Sequence, residues 1–354
     1  MLTETPSDSS TTPAAGAATM PSTVKVDRTF SLPGVAFCVA DGAGPETASR
    51  LFAGLSDFAV HQFDPAAEKV EARAISESKH ESYVMGLVRS GSSLISGSYD
   101  GSLIWWNSET GEIIRRVEKA HDRWIRMLAV TPGGSRIVSV ADDMRTRIWD
   151  TATGERIFDW GDYEQKTPQG YPSMLYAVAV SPDGKWLATG DRTGQVQVRD
   201  LTNGNIAATI ETPVMYTWDP KARRHSIGGI RSVAFSGNSE LLAVGGMGKV
   251  GNIDHLDAPS RIEVFHWQTQ ERRHEIEDSK FKGLVEALQF GPDDRWLIAA
   301  GGDHNGFVSI FSMQDGKVAA QEKTGQHVHD FIVNAAATSL TTVGHQQGTV
   351  VSLS

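Results

Sequence analysis

The sequence has little cysteine, no long apolar run and no excess of basic residues. Its 354 residues include one cysteine, Cys38, which excludes an intramolecular disulfide; it sits in an apolar run, as a small buried side chain does. No apolar stretch approaches the roughly 20 residues of a membrane-spanning helix. The formal net charge is −10, whereas a general nucleic-acid binder needs a basic surface. We therefore expect neither a membrane nor a nucleic-acid partner.

The N-terminal segment differs in composition from the rest of the chain. Residues 1–22 are rich in Ser, Thr, Ala and Pro, and they lack the basic and apolar regions of a signal peptide. Such a segment cannot bury enough apolar surface to fold, so we predict a disordered arm. We expect a single domain over residues 23–354 and, for want of a signal peptide in the sequence as given, a cytoplasmic location.

Large apolar residues recur along the chain at the ends of short strand-like patterns. Glycine is abundant, with 35 residues, and no long helical pattern is present. A period of about 40–45 residues with Gly-rich turns is typical of propeller blades built from four strands each. The recurring positions, with Arg199 in phase as the exception, are Phe63, Trp106, Trp149, Phe265, Phe311 and Leu353.

The clearest unit runs from His121 to about residue 158. An apolar strand precedes the turn Thr131-Pro132-Gly133-Gly134, a second apolar strand precedes an acidic turn, and a third strand ends in Trp149-Asp150. Pro and Gly set the turn dihedrals, and the apolar run after them predicts a buried strand. Units of this kind over about residues 30–354 resemble the WD-repeat β-propeller family.

The resemblance implies an all-β, seven-bladed β-propeller of four-stranded antiparallel blades. The chain ends in a third-strand pattern, residues 348–354, whose blade lacks a fourth strand. Residues 25–30 form a strand pattern with no blade of its own. In the family the N-terminal strand completes the last blade and closes the ring, which removes an exposed sheet edge.

Two units carry residue types that form a hydrogen-bonded structural tetrad in this family. They are His121, Ser139, Asp143 and Trp149 in one unit and His80, Ser96, Asp100 and Trp106 in the other. The types also match a Ser-His-Asp triad, but Ser139 lies within a strand pattern and no G-x-S-x-G surrounds it. We expect structural tetrads and no catalytic residues. The next unit departs from the pattern, with Thr193 at the Asp position and Arg199 at the Trp position.

We interpret three further sequence patterns as features of loops or turns. Residues 246–251 spell G-x-G-x-x-G, but no helical pattern follows, as a dinucleotide site requires. Two groups mix carboxylates with imidazole without a defined metal spacing. These groups are Asp254, His255 and Asp257, and Asp303, His304 and Asn305. We predict no cofactor and no metal.

The long insertions predict where a partner binds. One face of the ring carries the loops between strands two and three and the loops that enter each next blade; we call it the upper face. Three long segments belong to this face: 160–175, 212–229 and 246–260. These segments border the fourth and fifth blades and are rich in aromatic residues, Met and Arg, the types enriched in interface hot spots. The predicted partner-binding residues are Tyr99, Trp124, Met144, Arg192, Tyr216, Trp218, Arg223 and Arg224.

We therefore predict a non-catalytic scaffold, a monomeric propeller within a complex, that binds a protein or peptide. Arg192, Arg199, Arg223 and Arg224 lie near one sector and favour an acidic or phosphorylated peptide. One alternative is a propeller hydrolase or lactonase with a metal at the channel mouth, for which we single out four residues. The other is a fixed structural subunit of a larger complex. The four enzyme candidates are His225, Asp303, His304 and His345.

Overall fold

The computed structural model describes residues 19–42, 50–220, 225–251 and 257–354. Most of the predicted N-terminal arm, residues 1–18, lies outside these ranges. Within them the protein is all β, and its one helical element is the 3₁₀ turn Pro213–Met215. Among the described residues no helix has the length and apolar character to span a membrane.

The strands follow one another in antiparallel groups along the chain. The N-terminal strands are β1 (Val24–Asp41), β2 (Leu51–Leu55), β3 (Val60–Phe63) and β4 (Arg73–Ala74). The next sheet contains β5 (Val84–Ser90), β6 (Ser93–Ser98), β7 (Leu103–Asn107) and β8 (Ile113–Val117). It is followed by the sheet of β9 (Ile125–Val130), β10 (Arg136–Ala141), β11 (Thr146–Asp150) and β12 (Arg156–Trp160).

The second half of the chain continues the pattern with one interruption. The next sheet contains β13 (Leu175–Val180), β14 (Trp186–Asp191), β15 (Gln195–Asp200) and β16 (Ile206–Glu211). A separate two-stranded hairpin, β17 (Tyr216–Asp219) and β18 (His225–Gly228), then precedes β19 (Ser232–Phe235), β20 (Leu241–Met247), β21 (Pro259–His266) and β22 (Glu271–Lys282). The last strands are β23 (Leu284–Phe290), β24 (Trp296–Gly302), β25 (Gly306–Ser312), β26 (Val318–Lys323), β27 (Val328–Val333) and β28 (Ser339–Leu353).

The two ends of the chain meet in one six-stranded sheet, with the order β27-β28-β1-β2-β3-β4. The first part of β1 pairs with β28, from Val24 opposite Leu353 to Val35 opposite His345. Its last part, Ala36–Asp41, pairs with β2. The predicted pairing of the N-terminal strand with the C-terminal strand is therefore present.

The prediction of seven separate four-stranded blades is wrong in its count. Among the described residues the structure has six principal sheets, five with four strands and one with six. The reason is that β1, over 18 residues, pairs with β28 in its first part and with β2 in its last part, so that the last and the first units share one sheet. The β-propeller of antiparallel sheets is otherwise as predicted.

The first strands of successive units surround a common axis. β1, β5, β9, β13, β19, β23 and β27 contact one another in this order, and β27 contacts β1. Apolar side chains fill the spaces between neighbouring sheets; Trp105, Trp106, Trp267 and Trp296 are among the largest fully buried ones. Stacking of sheets around an axis leaves the loops at the two ends of the ring to carry function.

The G-x-G-x-x-G segment has no nucleotide-binding context in the part of the chain that is described. Strand β20 ends at Met247, and residues 248–251 and 257–258 are not helical. A phosphate-binding turn of this type requires a helix N-terminus directly after it. Gly246 and Met247 thus end strand β20, and residues 248–251 form a loop.

Candidate functional site

The β9–β12 sheet brings together the four side chains of its predicted tetrad. His121 Nδ1 lies 3.0 Å from both carboxylate oxygens of Asp143, and its Nε2 lies 2.7 Å from Ser139 Oγ. Trp149 Nε1 donates to the same Oγ at 2.9 Å. Burial lowers the pKa of His121, although the hydrogen bond to Asp143 opposes this shift. A neutral imidazole that donates from Nδ1 and accepts the serine hydroxyl proton at Nε2 satisfies every bond.

The β5–β8 sheet has the same arrangement. His80 Nε2 lies 2.7 Å from Ser96 Oγ, which accepts a hydrogen bond from Trp106 Nε1 at 2.8 Å. His80 Nδ1 lies 3.1 Å from Asp100. Burial alone would raise the pKa of Asp100, but the hydrogen bond and charge of His80 outweigh it and lower the pKa well below its usual range.

Neither tetrad is arranged for nucleophilic chemistry. Ser96 and Ser139 are fully buried, so neither hydroxyl can meet a substrate. In each case the serine oxygen also accepts the indole N–H, which holds it against the sheet. A closed network of this kind fixes the loop before the sheet to the strands behind it.

The β13–β16 sheet, where the tetrad pattern breaks down, uses a different buried network. Tyr163 Oη donates to the carbonyl oxygen of Thr189 at 2.5 Å and accepts the backbone N–H of Gln197 at 2.9 Å. Arg199, at the position of the missing tryptophan, is buried and forms an ion pair with Asp162 at 2.8 Å. Tyr163 from the preceding loop and the Arg199–Asp162 ion pair thus take the place of the tetrad.

A ring of side chains from the first strands lines the mouth of the central channel. In six of these strands one residue falls at a one-residue register shift: Phe37, Met85, Arg126, Tyr176, Glu286 and His329. A bulged residue is turned out of the regular alternation of its strand. Together with Arg231, these six side chains line a cavity of about 260 Å³.

Arg126 is the best-anchored cation of this mouth. Its Nε and Nη2 bind the two carboxylate oxygens of Asp142, each at 2.7 Å, and its Nη1 donates to the hydroxyl of Tyr99. The guanidinium carbon also lies 4.8 Å from the ring centroid of Tyr99 and 5.2 Å from that of Trp124. Bidentate pairing and ring contacts hold this group in one orientation.

A continuous aromatic surface extends outward from Arg126 along the upper face. We call it the aromatic arc, and it consists of Phe37, Phe58, Tyr83, Tyr99 and Trp124. Tyr99 and Trp124 stack with ring centroids 4.5 Å apart, and Tyr83 lies within 5.9 Å of Tyr99, Phe58 and Phe37. Tyr83 is 41% exposed and Trp124 is 49% exposed. The arc therefore presents large, ordered aromatic groups to solvent.

Tyr216 and Trp218, both predicted to bind a partner, lie in the β17–β18 hairpin. The ring of Trp218 is 5.2 Å from the ring of Tyr171, and Tyr216 Oη donates to Gln169 at 2.6 Å. Because Tyr171 and Gln169 belong to segment 160–175, two of the three long insertions pack together. The third insertion joins them through a hydrogen bond from the Val250 N–H to Thr217 at 3.1 Å.

Arg192 connects the hairpin with the channel mouth. It donates to the carbonyl oxygen of Ser226 at 3.2 Å and reaches the sulfur of Met174. Arg126 also contacts this sulfur. The arc, the mouth and the hairpin are thus linked by direct contacts.

Two predicted surface residues are buried, and two lie outside the described residues. Met144 is 1% exposed and packs in the core between the β9–β12 and β13–β16 sheets, so its assignment as a partner-binding residue is wrong. It has a positive φ of 59° within its turn. Arg199 is held by Asp162 and does not contribute to a basic surface. Arg223 and Arg224 fall in the range 221–224, which the structure does not describe.

A cluster of imidazoles and one carboxylate lies at the channel mouth beside Phe37, whose ring is 5.1 Å from that of His329. Glu286, His327 and His329 each place a potential metal-ligand atom within 4.8 Å of the others. Burial raises the pKa of Glu286, but hydrogen bonding and charge from His327 outweigh it and lower the pKa to about 2. Burial lowers the pKa of His329 to about 3. The ring of His345 lies 5.1 Å from that of His327.

Of the residues singled out for the enzyme alternative, His345 is the one whose side chain lies beside this cluster. The side chain of His304 is 88% exposed, and that of His225 is outside the described part of the structure. The backbone carbonyl of Asp303 reaches His327, while its carboxylate accepts the N–H groups of its own turn, including that of Asn305 at 3.2 Å. Of the other proposed metal group, Asp257 pairs with Lys282, and Asp254 and His255 are not described.

The residues at the channel mouth were missed from the sequence because a register shift of one residue disturbs strand alternation. A signal does exist, since single polar residues interrupt the apolar first strands, such as Arg126 beside Ile125 and Glu286 beside Val285. The alternation of apolar and polar residues alone does not decide to which face of its sheet such a residue belongs. Only the pairing with the second strand shows that it enters the channel.

A closed ring of antiparallel sheets with hydrogen-bonded tetrads defines the class of the protein as a β-propeller. The family model "WD domain, G-beta repeat" matches residues 75–107, 112–150 and 163–200, which contain β5–β7, β8–β11 and β13–β15. Three segments of the chain therefore match the WD-repeat family of β-propellers.

Three relatives illustrate the similarity. The chain is 25% identical over 201 residues to eukaryotic translation initiation factor 3 subunit I of Candida albicans, covering 56% of this chain and 51% of the relative. It is 26% identical to nuclear distribution protein PAC1 of Arthroderma otae, covering 45% and 40%. It is 28% identical over 108 residues to the target of rapamycin complex subunit wat1 of Schizosaccharomyces pombe, covering 30% and 32%. The matched region thus spans about half or less of each relative.

Proposed function

We propose that this protein is a non-catalytic scaffold that binds a protein or peptide partner on its upper face. The observation that carries the proposal is the aromatic arc, where Tyr83 and Trp124 are exposed although both belong to a packed series of rings. Tyrosine, tryptophan and arginine are the residues most enriched in interface hot spots. The arc and Arg126 combine all three types.

The anchoring of the arc supports binding more than loop stabilisation alone. Arg126 is held by Asp142 and Tyr99 is held by Arg126, so the ring of Trp124 stacks on an ordered tyrosine. A preorganised aromatic surface loses little conformational entropy when a partner binds. Free side chains that only cover their own loops need no such anchoring.

Membership of a larger assembly is part of the proposal. The names of two relatives describe them as subunits, one of an initiation factor and one of a target of rapamycin complex. Size-exclusion chromatography of the native protein in extract distinguishes a fixed subunit from a transient binder. A fixed subunit elutes only at high mass, whereas a transient binder also elutes as the 38.3 kDa monomer.

The main experiment is quantitative affinity capture from native extract with matched variants. Tyr83→Ala and Trp124→Ala remove the exposed edge of the arc, and we expect each to reduce partner recovery at least tenfold, as loss of a hot spot does. Ile114→Ala is the control, because Ile114 is an exposed apolar residue on β8, away from the upper face. Equal recovery with all variants contradicts the proposal.

A second set of variants tests whether the surface extends to the fourth and fifth units. Trp218→Ala alters the hairpin, and Arg223→Ala with Arg224→Ala removes two positive charges from the segment between its strands. An acidic or phosphorylated partner requires these charges, so we expect its recovery to fall with the double variant. Unchanged capture restricts the binding surface to the arc and the channel mouth and removes the argument for an acidic partner.

A further inference from the structure

The channel mouth beside Phe37 of the aromatic arc contains two imidazoles and one carboxylate in close approach. His327 is 4% exposed, and its Nε2 lies 3.4 Å from Glu286 Oε1. The Nε2 of His329 is buried without a hydrogen-bond partner. A buried polar atom without a partner is destabilising, so such atoms in a native structure call for an explanation.

The second nitrogen of His327 fixes the tautomer that the neutral ring adopts. Its Nδ1 lies 3.0 Å from the backbone carbonyl oxygen of Asp303, and a carbonyl can only accept, so Nδ1 carries the proton. In the neutral ring the lone pair is then on Nε2, on the side of Glu286. Orientation of a histidine by a backbone carbonyl on its outer nitrogen is typical of metal ligands.

The distances are close to those of a coordination shell. His327 Nε2 lies 3.4 Å from Glu286 Oε1. Two ligand atoms about 2.0–2.1 Å from a tetrahedral zinc ion are about 3.3 Å apart. The third ligand atom, from His329, lies within 4.8 Å of the other two, so a shift of about 1.5 Å of its ring completes the set.

We propose that Glu286, His327 and His329 form a binding site for a divalent transition-metal ion of the zinc class. Two imidazoles and one carboxylate suit such an ion, whereas magnesium and calcium prefer sites made of oxygen donors. The fourth position faces the channel cavity that Glu286 and His329 line, and the His345 ring lies beside it.

The position of the site in the ring indicates what the ion does. Glu286 lies on β23 in the β23–β26 sheet, and His329 lies on β27 in the six-stranded sheet. The ion therefore joins two neighbouring sheets beside the place where the chain ends meet. Because a ligand that binds only the folded state stabilises it, bound metal raises the melting temperature of the ring.

The test uses the full chain, freed of metal with a chelator and titrated at pH 7.5 with Zn²⁺, Co²⁺ or Mg²⁺. We expect one Zn²⁺ per chain by equilibrium dialysis and elemental analysis, a higher melting temperature with Zn²⁺, and no effect of Mg²⁺. Bound Co²⁺ should show the intense visible absorption of a four-coordinate site. Absence of stoichiometric Zn²⁺ binding, or equal stabilisation by Mg²⁺, overturns the proposal.

Variants then assign the ligands. Glu286→Gln keeps the size of the side chain and removes its charge, and His329→Ala removes one imidazole; we expect each to weaken Zn²⁺ binding at least about 100-fold. His304→Ala is the matched control, because this exposed histidine lies on the neighbouring turn outside the cluster. Affinity that falls equally in the control, or that persists in Glu286→Gln and His329→Ala, places the ion elsewhere and contradicts the assignment.

Discussion

Replacement of Ser139 by alanine tests whether the tetrads stabilise the fold. The hydroxyl oxygen accepts the Trp149 N–H at 2.9 Å and lies 2.7 Å from His121 Nε2, and the serine is fully buried. Ser139→Ala leaves one donor and one acceptor unpaired. Each unpaired buried group costs about 1–3 kcal/mol, so we expect the free energy of unfolding to fall by about 2–4 kcal/mol.

The assay is equilibrium urea denaturation followed by circular dichroism, with a double-mutant cycle. Trp149→Phe removes the donor that Ser139→Ala leaves unpaired, so the double variant should be more stable than the sum of the single effects predicts. Ser92→Ala, at an exposed turn position, is the control and should change stability by less than about 0.5 kcal/mol. A Ser139→Ala protein as stable as this control, or strictly additive effects, refutes the reasoning.

Three further predictions follow from buried interactions. Deletion of residues 22–31 removes the strand that pairs with β28, so it should lower the melting temperature of the whole ring in one cooperative step; an unchanged melting transition contradicts closure by this strand. Tyr163→Phe removes a hydroxyl that bonds Thr189 and Gln197, so it should lower the free energy of unfolding by about 1–3 kcal/mol in urea, whereas no change would show that the hydroxyl is not required. Burial raises the pKa of Asp330 from 3.8 to about 7, so the folded state binds more protons than the unfolded state between these values. The stability that this group contributes is therefore lost as pH rises from about 4 to 7, by at most about 4 kcal/mol. Asp330→Asn should remove that part of the difference between the urea midpoints at pH 5 and pH 8. An identical pH dependence in the variant contradicts the assignment of the raised pKa to Asp330.

The sequence predicts the local structure well where turn chemistry and strand pattern agree. The turn Thr131-Pro132-Gly133-Gly134 does separate β9 from β10, with positive φ at both glycines. His121 and Ser139, which the family resemblance assigns to one tetrad, also lie within hydrogen-bond distance of each other. Local signals of this kind do not depend on distant parts of the chain.

The features that the sequence does not predict depend on long-range pairing or on single backbone angles. The merger of the terminal strands into one sheet requires β1 to pair with both β28 and β2. Met144 sits in an apparently exposed turn, yet its side chain packs in the core. The Glu286–His327–His329 cluster joins residues about 40 positions apart through neighbouring strands, and no spacing motif reveals it.

The most direct test of the central claim is a measurement of partner binding with the arc intact and with it altered. Once capture from native extract has identified a partner, calorimetry with the purified partner should give a Kd that Trp124→Ala weakens at least tenfold and Ile114→Ala leaves unchanged. All variants should have the same melting temperature. A properly folded Trp124→Ala protein that binds the same partner with unaltered affinity contradicts the account of this ring as a scaffold that uses its aromatic arc.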